Sequence, residues 1–501
     1  MRVRMLLVVV FCFLGSCMIR PHEGQSEEVD SVEGPIRASE RDPRYFEYKG
    51  EPIVLITSAE HYGAVLNLDF DYVRYLDTLQ ADGLNYTRAF TGSYVEREGS
   101  FGIKNNSLAP AKEKLIAPWT RSDQPGYIHG GNKFDLNQWD PAYFERLHDF
   151  LSKAEERGII VEITLFSSIY SDAYWQFSPL HPNNNVNYAE PIPHTRVNTL
   201  DNGPILAVQE RMVRKLVREL NQHNNFFFEI QNEPYADHPE TTIPINPFLQ
   251  DWRENWMNRV DLATRESLDW QDKIAEIITS EESSLPQKHL IAQNFCNFRY
   301  RLNRISERIS IMNFHYAYPE AVTWNYYRNK IAGFDESGFS GSDDDVYRRQ
   351  AWRFILAGGA IFNNLDYSFY PGFEDGTGPN EAPGGGGPAL RKQLKVLKDF
   401  IHDLPFTNMG PNDSIVRMAP GANIQGLSAH GLAYAIFIES VQDTVALTLN
   451  LRGAGYRAEW IDTRTGEVLK QESIENPWRP VVQSPPFDGD IALKITYPPE
   501  E

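Results

Sequence analysis

The stretch Phe226-Phe227-Phe228-Glu229-Ile230-Gln231-Asn232-Glu233-Pro234 decides how the rest of the chain is read. Three phenylalanines and an isoleucine describe a strand buried on both faces. Within two residues the run turns polar and then stops at a proline. A parallel strand delivers a side chain to the mouth of a barrel in this way. Proline has no N–H to give to a ladder, so it ends the strand. Glu233 is thereby a candidate catalytic acid, and the remaining sequence is searched for its partner.

Working upstream, residues 45–56 read as a hairpin that turns at Lys49-Gly50 and runs into a first strand, which ends at Ser58-Ala59-Glu60-His61-Tyr62. A helical period over 69–81 leads to a second strand at 84–90. A helix over 140–157, with Pro141 in its first turn and Gly158 after its end, leads to a third strand at 159–166. An amphipathic helix over 203–224 makes the quoted strand the fourth. Downstream, a helical stretch over 252–280, broken near Asp269, precedes a fifth strand at 289–294. The sixth, seventh and eighth are expected at 309–316, 330–338 and 360–366, with helices over 343–356 and 388–404. Residues 91–139 and 167–202 show no period, and loops this long inside a compact domain usually carry function.

Alternation of strand and helix with eight candidate strands predicts an α/β fold, a (β/α)8 TIM barrel over residues 44–405. A doubly wound sheet would need a glycine-rich phosphate loop after an early strand. Gly384-Gly385-Gly386-Gly387 precedes the last helix and has no Lys-Ser/Thr behind it. From residue 406 the texture becomes short alternating segments, at 432–438, 445–451, 456–461 and 491–495, which predict a small C-terminal antiparallel β-sandwich over 406–501.

The 501 residues are 41% hydrophobic and 12% aromatic, which excludes wholesale disorder. A formal charge of −20 leaves no basic footprint, so no nucleic acid partner is expected. Arg2 and Arg4 followed by a short apolar run from Met5 to Leu14 form an export signal, too short to span a membrane. Leu14-Gly15-Ser16-Cys17 matches a bacterial lipoprotein cleavage box, making Cys17 a candidate lipidation site; an ordinary signal peptide over 1–17 is the alternative. The protein is accordingly expected in the cell envelope, periplasmic or at the outer surface, or secreted. A polar tether follows over 18–43. Cys12, Cys17 and Cys296 are the three cysteines, too few for a disulfide framework or a cysteine metal site.

Phe334-Asp335-Glu336-Ser337 repeats the pattern of the opening stretch on the seventh strand. Two carboxyl groups facing each other across a sugar are what glycosidic cleavage requires, one to donate a proton and one to attack or to activate water. Alternation along the strand puts Asp335 and Glu336 on opposite faces and favours Glu336.

With these residues the chain resembles the superfamily of retaining barrel glycosidases typified by the family-five cellulase-like enzymes. Asn232-Glu233-Pro234 matches that superfamily's fourth-strand motif, Glu336 its seventh-strand nucleophile, and Asn85-Tyr86-Thr87-Arg88 its second-strand Asn-x-x-Arg. His315 and Tyr316 match its sixth-strand pair. The resemblance implies a retaining glycoside hydrolase of a poly- or oligosaccharide, with Glu233 as acid/base, Glu336 as nucleophile, Asn232 at the substrate 2-hydroxyl and Arg88 beside the nucleophile. It also implies that the two carboxyl groups lie about 5–5.5 Å apart. The C-terminal Trp460-Ile461-Asp462-Thr463-Arg464-Thr465-Gly466 looks like a turn of the small sandwich that trails some barrel glycosidases, including apiosidase-like proteins.

Glu60, His61, Trp175 and Asp366 complete the candidate substrate-binding set. No cofactor and no metal is expected, since His61, His181, His194 and His315 show no ligand spacing. Asp343-Asp344-Asp345 is explained by a helix start. The alternative function is a non-catalytic glycan-binding barrel or surface adhesin, which would be expected to lose one of the acids. Sugar, linkage, oligomeric state and endo or exo action stay open: long loops fit a walled pocket and equally the border of a cleft.

Overall fold

The computed structural model describes residues 34–237, 239–380, 382–453, 455–475 and 478–497. The export signal, Cys17 and the tether up to residue 33 lie outside the described residues. The last ten residues of the expected tether are packed against the fold. Ile36 is fully buried, its N–H donates to the Asn224 carbonyl at 2.8 Å, and Arg37–Ala38 pairs with the hairpin strand Phe46–Tyr48. The hairpin closes onto Glu51–Ile53 through Lys49 and Gly50, both at positive φ, as a tight two-residue turn requires.

Eight parallel strands form the barrel: Leu55–Ala59, Tyr86–Phe90, Ile160–Ser167, Phe226–Asn232, Ile291–Asn297, Ile311–His315, Ile331–Ser337 and Ile361–Leu365. The hydrogen-bonded ladder runs from the second strand through the third to the eighth and on to the first. The seam between first and second is bridged by the Asn85 side chain, which accepts from Ile56 N at 2.9 Å and donates to the Val54 carbonyl at 2.9 Å. The Asn of the Asn-x-x-Arg motif thus closes the barrel, while its Arg faces the interior.

Helices Tyr72–Ala81, Pro141–Glu156, Ile205–Leu220, Arg265–Glu282, Asp344–Leu356 and Pro388–His402 surround the strands. Asp71 caps the first by accepting from Val73 N and Arg74 N, and Pro141 opens the second. Two readings of the sequence are corrected. Segment 91–139 contains a hairpin, Trp119–Pro125 with Asn132–Trp139, held by stacking of Trp119 on Trp139. The helix expected from 252 starts at Arg265, capped by Thr264, and runs unbroken through Asp269; residues 259–263 instead form a strand antiparallel to Pro239–Pro244.

The C-terminal part is a β-sandwich of two antiparallel sheets, one of six strands and one of three, over its own apolar core around Tyr434, Leu447, Trp460 and Leu493. It is fastened to the barrel by Trp352, which stacks on Phe437 at 5.6 Å, and by the buried pair Arg348–Asp490.

Candidate active site

The site stands at the carboxyl ends of the barrel strands, where such folds place their chemistry. Glu233 follows the fourth strand directly and is held at φ 48. Tyr62, Phe298, Tyr316 and Phe339, after the first, fifth, sixth and seventh strands, also have positive φ. Such backbone costs a non-glycine residue on the order of 1–3 kcal/mol and persists where the surrounding structure imposes it. Here it turns the chain sharply at the rim and aims side chains across the mouth.

Glu233 Oε2 accepts from the Tyr170 hydroxyl at 2.6 Å, and Oε1 from the Tyr235 hydroxyl at 3.0 Å and His315 Nδ1 at 3.0 Å. Glu336 Oε1 accepts from the Tyr316 hydroxyl at 2.9 Å, and Oε2 from Tyr62 at 3.1 Å and Arg88 Nη1 at 3.4 Å. His315 Nδ1 also lies 3.5 Å from Glu336 Oε1, so one imidazole faces both carboxyl groups. One oxygen of Glu233, one of Glu336 and a His315 nitrogen all lie within 4.8 Å of one another.

Burial alone would raise the Glu336 pKa, but His315, Arg88 and His61 outweigh it and bring it down to about 2. Burial works to discharge His315, yet Glu336 and Asp335 favour its charged form and raise its pKa. Glu336 is therefore a carboxylate flanked by two cations and two phenols.

Asp335 is not on the opposite face from Glu336. Asn313 pairs with Gly333 and His315 with Glu336, two residues against three, so the seventh strand bulges between them. The bulge lets two consecutive acids face inward. Asp335 Oδ2 lies 3.4 Å from Arg88 Nη2 and 3.5 Å from His315 Nε2.

Beneath the pair is an acidic layer that the sequence reading did not single out. Glu229 accepts from Arg88 Nη2 and from Thr164 at 2.8 Å; Glu162 accepts from Tyr86 and from Asn313 Nδ2 at 2.7 Å. Both are fully buried. Burial raises Glu229 to about 7 against the opposing pull of Arg88, and raises Glu162 well above the usual carboxylate range. The signal was present: each acid interrupts an apolar strand run.

An open pocket of about 380 Å3 lies over the pair, walled by His61, Tyr62, Tyr94, Glu96, Phe101, Leu108, Tyr170, Asn232, Tyr316 and Phe339 among others. The enclosed part is only about 50 Å3, well below the about 300–1,000 Å3 of small-molecule sites. Asn232 Oδ1 is buried without a protein partner, as are both ring nitrogens of His61.

Five expected site residues lie off the pocket wall: Arg88 and His315 are buried against the acids, and the other three bind elsewhere in the protein. Glu60 accepts from Gly63 N at 3.0 Å, Ala64 N at 3.2 Å and the Ser107 hydroxyl, and so fastens a loop. Trp175 is buried and donates to the Ile192 carbonyl at 2.8 Å. Asp366 is engaged by Arg391 at 2.8 Å, Ser58 at 3.0 Å and Gly387 N at 3.0 Å. Missed were Tyr62, Tyr94, Glu96, Tyr170 and Tyr235, whose loop positions carry no periodic mark.

Glu233, His315 and Glu336, and likewise Glu229, His315 and Asp335, have the spacing of a metal triad. Arg88 and charged His315 already supply the positive charge that an ion would bring.

No family model and no curated protein matches the sequence. Solved structures do match in fold. A glycoside hydrolase family 5 protein from Bacteroides vulgatus ATCC 8482 aligns over 93% of this chain and 94% of its own, at 14% identity and TM-score 0.57. A protein described as a glycoside hydrolase aligns over 93% and 98%, at 13% identity and TM-score 0.55. A further Bacteroides vulgatus ATCC 8482 structure aligns over 93% and 83%, at 14% identity and TM-score 0.59. The chain thus shares the fold of these proteins, here a (β/α)8 barrel followed by a β-sandwich.

Proposed function

We propose that the protein is a retaining glycoside hydrolase, with Glu336 as nucleophile and Glu233 as acid/base. The observation that carries this reading is the ionised Glu336, held at about 2 by its surroundings, in the same pocket as a second carboxyl group that lies within 4.8 Å of it. Retention calls for carboxyl groups about 5–5.5 Å apart, whereas inversion needs room for a water and about 6.5–9.5 Å.

In the first step a Glu336 oxygen bonds to the anomeric carbon while the glycosidic C–O bond breaks and Glu233 gives its proton to the departing oxygen. Water then attacks the anomeric carbon as Glu233 takes its proton, and the bond from that carbon to the Glu336 oxygen breaks, releasing the sugar and returning the Glu336 carboxylate. Tyr170 and Tyr235 orient Glu233. Asn232 Oδ1, buried and unpartnered, is available to a substrate hydroxyl. The substrate is a carbohydrate. The export signal supports delivery to the cell envelope with Cys17 as lipid anchor, and Cys17→Ala should release the protein from the membrane fraction.

Glu233→Gln and Glu336→Gln test the assignment on any aryl glycoside or oligosaccharide that the wild type cleaves. Each should lower kcat/KM by at least about 10²–10⁴. Undiminished hydrolysis in either variant removes that residue from the mechanism, and sugar binding with no hydrolysis by the wild type would favour a glycan-binding barrel.

A further inference from the structure

We infer that the pocket is a blind subsite for one neutral sugar residue at the non-reducing end of a chain, read by His61 and Glu96, so that the protein acts from the chain end. The inference rests on the hydrolase reading and deepens it. Glu233, which serves the leaving group, follows the fourth strand; His61 follows the first, across the ring of eight. His61, Glu96 and Leu108 line the same pocket as Glu233 and Glu336, so in the proposed pose, with the anomeric carbon at Glu336 and the leaving group at Glu233, the remaining hydroxyls meet that wall. A longer chain would need a passage through that wall.

The wall is built closed. Glu96 N–H donates to the Leu108 carbonyl at 2.9 Å, and Leu108 N–H to Asn106 Oδ1 at 2.8 Å. Ser107 is bound from three directions: its hydroxyl donates to buried Glu60 and accepts from Gly63 N at 3.1 Å, and its carbonyl accepts from Asn67 Nδ2 at 3.0 Å. A Cβ at Gly63 would stand 2.2 Å from the Ser107 carbonyl carbon. The loop after the second strand therefore packs backbone to backbone on the loop after the first. Opening a second subsite there would break buried hydrogen bonds. Phe101, 37% exposed and packed on Tyr170 and Tyr174, marks the rim.

The polar chemistry of the wall selects a neutral sugar. Both His61 ring nitrogens are buried without hydrogen-bond partners, and Nε2 faces Glu96 Oε2 at 3.6 Å, an ion-pair distance longer than a hydrogen bond. A sugar hydroxyl can bond both groups. A uronate carboxylate at His61 would be placed against Glu96, while Arg88 is committed to Glu229, Asp335 and Glu336.

The test combines binding and cleavage. Calorimetry with the full-length Glu336→Gln variant is run against a panel of neutral monosaccharides and their uronic acids. Wild-type digestion of neutral oligosaccharides labelled at the reducing end is followed by chromatography. Saturable binding of a neutral monosaccharide is expected, weakened about tenfold by His61→Ala and partly restored by His61→Gln, with unchanged circular dichroism. Single sugars should leave the unlabelled end first. Tighter binding of a uronic acid, internal fragments as first products, or no monosaccharide binding overturns the inference, and the first two leave the hydrolase reading standing. Monosaccharide binding with no cleavage by the wild type overturns the hydrolase reading and keeps the blind pocket.

Discussion

The barrel holds two layers of carboxyl groups around the same cations, and in them Glu336 and Glu229 are shifted in opposite directions. At the mouth, Glu233 and Glu336 border the pocket and are met by four tyrosine hydroxyls. Below them Glu162, Glu229 and Asp335 are sealed among strands, with Arg88 and His315 between the layers. Glu336 is pulled down to about 2, while Glu229 is pushed up to about 7. Proximity to a cation does not by itself ionise an acid. Desolvation opposes the charge on each of these acids; at Glu336 it is outweighed by His315, Arg88 and His61, whereas at Glu229 and Glu162 neighbouring carboxyl groups add to it. With Glu162 and Glu229 both shifted toward their protonated forms, more of the field of Arg88 and His315 is left to Glu336.

The sharpest way to break this contrast is Arg88→Leu. It removes the cation common to both layers and leaves Glu229, Asp335 and Glu336 with one buried positive charge fewer, at a cost of about 3–5 kcal/mol in a denaturant titration. It also relieves the depression of Glu336, so the acid limb of kcat/KM should move to higher pH. An unmoved limb would mean that Arg88 is structural only.

Glu229→Gln should be far milder. An amide resembles the protonated acid, so activity near pH 6 should stay within about tenfold of wild type. The pH dependence of stability is the finer readout. Glu229 is raised from 4.5 to about 7 in the folded protein, so the fold holds an extra proton between those values, and its stabilising effect is lost as pH rises through about 7. Glu60, raised by burial to about 7, adds a slope of the same sign. Urea midpoints at pH 5 and 7.5 should show wild type weakening with pH and Glu229→Gln weakening less. Equal slopes would contradict a raised Glu229.

The smallest effect on catalysis belongs to Asp366→Asn. Asp366 lies at the rim in sequence, yet it binds Arg391, Ser58 and Gly387. The substitution should cost about 1–3 kcal/mol of stability and leave KM unchanged. A raised KM would return Asp366 to the substrate site.

The contrast also marks what the sequence made legible. Strands buried on both faces and ending in polar residues betrayed the barrel, and the acid pair followed from their order. Arg88, His315 and Tyr316 came with the strand motifs and converge on the pair. Asp335 was misplaced because alternation assumes a regular strand, and a bulge adds a residue without leaving a mark in composition. Glu60 and Asp366 misled because an acid beyond a strand end can as well bind backbone as substrate. Tyr62 points at its acid from a positive-φ position, a conformation that non-glycine residues do not advertise, and Tyr170 and Tyr235 do so from a loop and a short helix beyond strand ends, where no period marks them. Glu162 and Glu229 were readable: a carboxyl group inside an apolar strand run must find partners within the barrel.

The most direct test of the central claim is the anomeric configuration of the first sugar released, followed by proton NMR before mutarotation. The account predicts that it matches the configuration of the bond cleaved, as a double displacement through Glu336 requires. An inverted first product would contradict it, leaving the close carboxyl pair without its assigned roles.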